Sequence, residues 1–304
     1  MATIPGSVND AYRKTPVPER RSAKADRLSP VAALVRRHDR DRFQTALFAP
    51  VARREALFAL YAFNYEIARV RESVTQPMLG QIRLQWWRES IAAAFDGGVV
   101  RRHVVVEPLT AAIRELALTR THFDRLIDAR ETDLDDGPPA NLAALEEYAE
   151  ATSARLVYLA FEILGVRDPA GGDAGFHVGI GYALAGLLRA MAFRTRAARH
   201  IIPADIATRN GLTEEDYGAR RGTAALRAAS AELAAAGSRH FGAARTNRER
   251  IPRSALPALL PATVAQHSLK RLKRAGYDPF DPALAVPDPL QSWRLAAAAL
   301  FSRF

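Results

Sequence analysis

Helical periodicity dominates this chain, and that single feature rules out most architectures. Leu57, Leu60, Tyr61 and Ile67 fall at spacings that collect apolar groups on one helical face. Leu79, Ile82, Trp86, Trp87 and Ile91 repeat the pattern in the next segment, and Leu184, Leu187, Leu188, Met191 and Thr195 repeat it later. Residues 223–236 are rich in alanine, a strong helix former. The strand-like run is Val99 to Val106, and Arg101, Arg102 and His103 interrupt it. Breakers at Pro77, Gly97-Gly98, Gly137-Pro138-Pro139, Gly165 to Gly175, Pro203, Gly211 and Pro279 divide the rest. The spacing predicts an all-α chain of about ten helices with no internal repeat.

Composition narrows the chemistry. With 304 residues, 48% of them hydrophobic, the chain can bury one large helical core. It has no cysteine, which excludes disulfides, thiolate nucleophiles, iron–sulfur clusters and cysteine zinc sites. Lys and Arg number 43 against 33 Asp and Glu, a net charge of +10 that attracts something anionic. No apolar run approaches the roughly 20 residues that span a bilayer. Residues 1–28 are polar and basic, with Pro5, Pro16 and Pro18, and read as a flexible lead-in to a domain over 29–304. A mitochondrial transit peptide is the alternative, which Asp10, Glu19 and Asp26 weaken.

Several local signals lead elsewhere and are set aside. Gly179-Ile180-Gly181 follows no strand and reads as helix packing rather than a dinucleotide loop. The seven histidines are scattered and form no H-E-x-x-H pair. No G-x-S-x-G elbow supports a serine hydrolase. Asp133, Asp135 and Asp136 read as a helix end running into a solvated loop, or as a weak cation site. Arginines are spread over every expected helix with few interleaved aromatics, so nucleic acid is not an expected partner. The same basic excess suits a peripheral role at an anionic membrane, or a solvated surface with no partner.

The order of several segments carries a further reading. Asp41-Arg42-Phe43 leads to Phe58-Ala59-Leu60-Tyr61-Ala62-Phe63, and then to Leu84-Gln85-Trp86-Trp87-Arg88-Glu89. Leu126-Ile127-Asp128, Thr132-Asp133-Leu134, Gly179 to Gly211 and Gly276-Tyr277-Asp278-Pro279-Phe280 follow. Together they resemble the squalene/phytoene synthase family over nearly all of the chain beyond residue 30. The resemblance implies a single-domain isoprenoid synthase fold of helices around a central cavity. Enzymes of that family join two prenyl diphosphates head to head, and facing helices supply aspartates that bind Mg²⁺ against the leaving pyrophosphate.

At the positions matching the family's first acidic motif this chain has Ala68, Arg69 and Glu72. At those matching the second it has Gly186, Arg189, Ala190, Phe193 and Arg194. One carboxylate remains and guanidiniums are added. At an effective dielectric near 20, unit charges about 4 Å apart interact by about 4 kcal/mol, and for arginine against a metal ion that sign is repulsive. No metal or catalytic residue is therefore expected, and magnesium enters only if the chain is an enzyme after all.

Arg69 and Arg194 have two readings: interhelical ion pairs to groups such as Glu66 or Glu72, or, with Arg189, a metal-free grip on an anionic head group. Tyr61, Phe63, Tyr65 and Trp86 are either the lining of an inherited cavity or ordinary core aromatics. The candidate ligand set is thus Tyr61, Phe63, Tyr65, Arg69, Glu72, Trp86, Arg189 and Arg194. Loss of both motifs with a retained Gln85-Trp86-Trp87-Arg88 resembles the branch of the family associated with assembly of respiratory complex I. That implies a non-catalytic protein on the cytoplasmic side of the inner membrane, or the matrix side in a mitochondrion, with complex subunits or assembly intermediates as partners. Two alternatives stand beside it: an active prenyltransferase with a displaced metal site at Glu72, Asp128 and Asp133, and an isoprenoid- or lipid-binding carrier.

Overall fold

The computed structural model describes residues 28–135, 137–191 and 201–304, and among them every regular element is helical. The chain enters through α1 (Pro30–His38), where the Ser29 hydroxyl accepts from the Ala32 amide and Pro30 occupies the first turn, which needs no N–H. Asp39 ends α1 and caps α2 (Arg40–Ala46), accepting from the Arg42 amide at 3.1 Å. Then come α3 (Val51–Ala68), α4 (Pro77–Phe95), α5 (Val106–Leu116), α6 (Arg120–Glu131), α7 (Leu142–Ala149) and α8 (Arg155–Ile163). The second half holds α9 (Pro169–Ala190), α10 (Ala204–Arg209), α11 (Glu214–Gly218) and α12 (Ala224–Ala243). It closes with α13 (Leu256–Leu259), α14 (Pro261–Arg274), α15 (Pro282–Ala285) and α16 (Gln291–Leu300). The surplus over about ten helices is made of segments of four to seven residues, too short to display a period.

Two long helices form the interior. In α3 every residue from Leu57 to Asn64 is buried, so the helix is enclosed on all sides, by α1, α5 and α8 among others. In α9 the neighbours are α8, α12, α14 and a wide turn of π-helical hydrogen bonding at Glu150–Ala154. One continuous apolar core runs from Val31 to Phe304 through both.

Two expectations need correction. In α4 the buried stripe is Gly80, Leu84, Trp87, Ile91 and Ala94, while Leu79 and Ile82 point outward at 45% and 60% exposure. The helix has two apolar stripes, and periodicity cannot tell which one meets the core. In keeping with the all-α expectation, the run from Val99 to Val106 forms no strand: it is irregular up to Val105, and α5 starts at Val106. The break at Gly165 to Gly175 is shorter than its glycines suggest. Gly165, at φ 73°, ends α8, but the Asp168 side chain caps α9 and Gly171, Gly172 and Gly175 lie inside that helix. A methyl on Gly175 would sit 2.5 Å from Phe161 Cε2, so this glycine lets helices approach rather than breaking one.

Candidate functional site

Where α2, α3 and α9 meet, a charged side chain lies between two tyrosines. The Arg42 guanidinium stacks 4.5 Å from the Tyr182 ring and 5.8 Å from the Tyr61 ring, and donates to Asp39 at 2.8 Å. Burial works against its charge, but Asp39 and the two facing rings outweigh burial and hold the guanidinium above its ordinary range. Burial also raises both phenols well above the usual tyrosine value, so they are neutral donors. The space these groups border with Ser153, Val157 and Val178 is about 10 Å³, room for about one water and no hydrocarbon chain. Beside it, Asp41 accepts from Arg189 at 2.9 Å, from Gln291 at 3.0 Å and from the Tyr182 hydroxyl at 3.4 Å, tying α2, α9 and α16 together. The dense charge run Asp39-Arg40-Asp41-Arg42 was the sequence signal for this cluster, but only the fold brings Tyr182 and Gln291 to it.

The seven expected site residues that lie among the described residues do not gather in one place. Tyr61 borders the small space just described. Phe63 is fully buried in edge-to-face contact with Trp87 and Phe123, a core aromatic. Tyr65 stacks on His38 with ring centroids 4.2 Å apart, and Arg69 lies over the Tyr65 ring while pairing with Glu66 at 3.2 Å. That pair lies within α3 and its C-terminal cap, not between helices. Glu72 is exposed on the short turn Arg71–Ser73. Trp86 is half-buried against Trp87 and His103, with the Arg101 guanidinium 5.1 Å from its ring. Arg189 holds Asp41, and Arg194 lies outside the described residues, as do Phe193 and Asp136.

Mg²⁺ asks for several oxygen ligands in near-octahedral array. The described residues that the resemblance sets at the metal positions do not fit it. Ala68, Gly186 and Ala190 offer no side-chain oxygen, and the carboxylates nearest Arg69 and Arg189 are occupied by those arginines. The displaced set does not converge either. Asp128 accepts from Arg88 at 2.7 Å, while Asp133 is held by Arg130 at 3.2 Å and the Tyr148 hydroxyl at 2.8 Å. Asp133 is therefore part of a half-buried bridge rather than a solvated loop end. Among the described residues no three His, Asp or Glu side chains are arranged to hold a metal ion.

A larger cavity, about 450 Å³, opens between α9, α14 and the segment from Pro279 to Gln291. Leu188, Val264, Leu269, Leu272, Phe280 and Leu284 make its apolar wall, and Arg189, Arg220 and Arg271 supply positive charge. Its size lies within the usual range for small-molecule sites. Arg271 also donates to the Ala283 carbonyl, which anchors α15 over the cavity. His267 lies 3.3 Å from Asp288 in the same wall. Burial, then Arg294, holds its imidazole below the ordinary value.

Comparison with known proteins identifies the family and the fold. The sequence pattern described as squalene/phytoene synthase matches residues 35–296. A human protein described as NADH dehydrogenase (ubiquinone) complex I, assembly factor 6 is 31% identical over 268 residues, covering 86% of this chain and 80% of that protein. A presqualene diphosphate synthase of Rhodopseudomonas palustris is 27% identical over 210 residues, covering 69% of this chain and 74% of that protein. The squalene synthase HpnC of Alicyclobacillus acidocaldarius superposes with a TM-score of 0.71 at 20% identity, over 81% of this chain and 93% of that structure, and so shares the fold.

Proposed function

The chain belongs to the squalene/phytoene synthase family, and within it we propose a non-catalytic member that acts in assembly of respiratory complex I at the membrane. The observation that carries the proposal is the arginine chemistry at the positions matching the family's metal motifs. Arg69 and Arg189 each neutralise a carboxylate of the chain itself, at 3.2 and 2.9 Å. Ionising an allylic diphosphate needs divalent metal against the leaving group, and this donor set supplies no place for it. Similarity to the human complex I assembly factor supports the cellular role. The work is peripheral to the bilayer: no helix among the described residues is long and apolar enough to cross it, and a net charge of +10 favours an anionic surface. The chain then acts on the cytoplasmic side of the inner membrane, or the matrix side in a mitochondrion, with complex I subunits or intermediates as partners.

Two measurements test this reading together. Purified protein with farnesyl diphosphate and Mg²⁺ or Mn²⁺ is expected to release no pyrophosphate, beside an active bacterial synthase as positive control. Deleting the gene is expected to lower assembled complex I, and Glu72→Gln is expected to restore it as well as wild type does. Metal-dependent turnover that Glu72→Gln abolishes would sink the proposal.

The cavity of about 450 Å³ favours one second reading, a carrier in which Arg189, Arg220 and Arg271 hold the anionic head of an isoprenoid or lipid without metal. Saturable, metal-free binding of farnesyl diphosphate without turnover supports the carrier over scaffolding alone.

A further inference from the structure

The last helix is apolar on two sides, and only one of them is used. Leu295 is buried against Leu260 and Val264, with Ala298 and Ala299 packed beside it. On the other side Trp293, Leu300 and Phe301 are 75%, 69% and 66% exposed, and Ala296 and Ala297 between them are also exposed. Trp293, Ala296, Ala297 and Leu300 fall at i, i+3, i+4 and i+7, so they form one stripe along α16. Gln44 donates to Ser292 at 3.2 Å, which fixes α2 beside the start of this helix, and Leu47 and Phe48 in the turn after α2 and Val51 at the start of α3 are exposed.

The charged side chains of the segment that carries the stripe are of one sign. From Pro289 to Phe304 the side chains include two arginines and no carboxylate. Arg253 reaches the end of the helix, donating to the Leu300 carbonyl at 3.2 Å, and Arg303 is exposed beside Phe301. Arg294 is neutralised by Asp288 at 2.9 Å, so the free positive charge lies toward the C-terminal end of α16. A tryptophan, two large apolar side chains and a basic flank suit the interface of an anionic bilayer. There the indole sits at headgroup level, apolar groups enter the acyl boundary and arginines meet phosphates.

We propose that the outward face of α16, centred on Trp293, Leu300 and Phe301, is the surface by which this protein docks on anionic membrane. The inference rests on the membrane part of the functional proposal and not on its complex I part. It is independent of the cavity and of any catalysis.

The test uses the purified full chain and sedimentation with vesicles of phosphatidylcholine, with and without phosphatidylglycerol. Binding is expected with the anionic vesicles and to weaken with added salt. Trp293→Ser and Leu300→Ser are each expected to lower the partition coefficient about tenfold, the equivalent of losing one large apolar side chain from the interface. Ile82→Ser, on the exposed stripe of α4, is the control and is expected to bind as wild type does. Tryptophan emission gives a readout at the site: it should shift to the blue on vesicle addition, and Trp293→Phe should abolish the shift while Trp86 and Trp87 remain. Circular dichroism checks that each variant is folded. Undiminished binding of folded Trp293→Ser and Leu300→Ser would overturn the assignment of this face while leaving membrane association standing. No binding by wild type would overturn both. Concentration-dependent dimerisation without vesicle binding, lost in Trp293→Ser, would assign the face to a second copy and overturn the proposal.

Discussion

Arg42 shows how one side chain can occupy the middle of a fold. Its guanidinium closes the space between Tyr61 and Tyr182 and satisfies Asp39. Arg42→Ala removes the stacking and leaves the Asp39 carboxylate, 16% exposed, without its partner. Breaking such a pair from one side is expected to cost about 3 kcal/mol, read as a lower urea midpoint. Arg42→Lys should recover less than half of that, because an ammonium cannot pair with a carboxylate and lie flat on a ring together. A loss under about 1 kcal/mol for Arg42→Ala would mean that water replaces the guanidinium easily. The residue was visible in the sequence as part of a segment resembling the family. Its role was not, because Tyr182 lies 140 positions away in the chain.

At the scale of elements, α9 depends on close approach. Gly179 lets the helix lie against the wide turn at residues 150–154; a methyl there would meet the Ala154 Cα at 2.4 Å, and backbone cannot step aside as a side chain can. Gly179→Ala is therefore expected to destabilise the protein by about 3 kcal/mol. Gly172→Ala, in the same helix with nothing within 4 Å, is expected to stabilise it by up to about 1 kcal/mol. Measuring both thermal midpoints separates packing from propensity, and equal shifts would contradict this account. The sequence pointed to Gly179 as a packing residue, yet it also marked Gly165 to Gly175 as a break. Glycine is the same letter whether it bends a chain or admits a neighbour, and only the neighbour decides.

Across the whole molecule, histidines couple stability to pH. His38, His122, His177 and His267 are all held below the ordinary imidazole value, with burial the largest cause in each. His177 Nδ1 also lies 2.9 Å from His240 Nδ1, a pairing that requires at least one of the two rings to be neutral. Each of the four, His38, His122, His177 and His267, binds its proton more weakly folded than unfolded. Their contribution is therefore complete above an unfolded value near 6.5 and is lost as pH falls through it toward the folded values. The thermal midpoint should fall between about pH 7.5 and about pH 5.5, before the carboxylates Glu232 and Asp288, held below their ordinary values, add their own loss nearer pH 4. A midpoint that is flat until pH 5 would refute the histidine part. In the sequence the histidines are scattered. The fold pairs two of them across 63 positions.

The sequence by itself determined that the chain is helical, that a long helix starts at Pro77 and stops before Gly97, and that Ala68, Arg69, Gly186, Arg189 and Ala190 carry no carboxylate. These are local facts: a period, a breaker or a missing carboxylate can be read without knowing what lies opposite. Tertiary structure alone decided which stripe of α4 is buried and that Phe63 is core while Arg189 reaches a cavity. It also decided that Trp293 stands in solvent while Leu295, two residues on, does not. Each of these depends on which surface meets which, and burial energy is set by that meeting rather than by the residue alone.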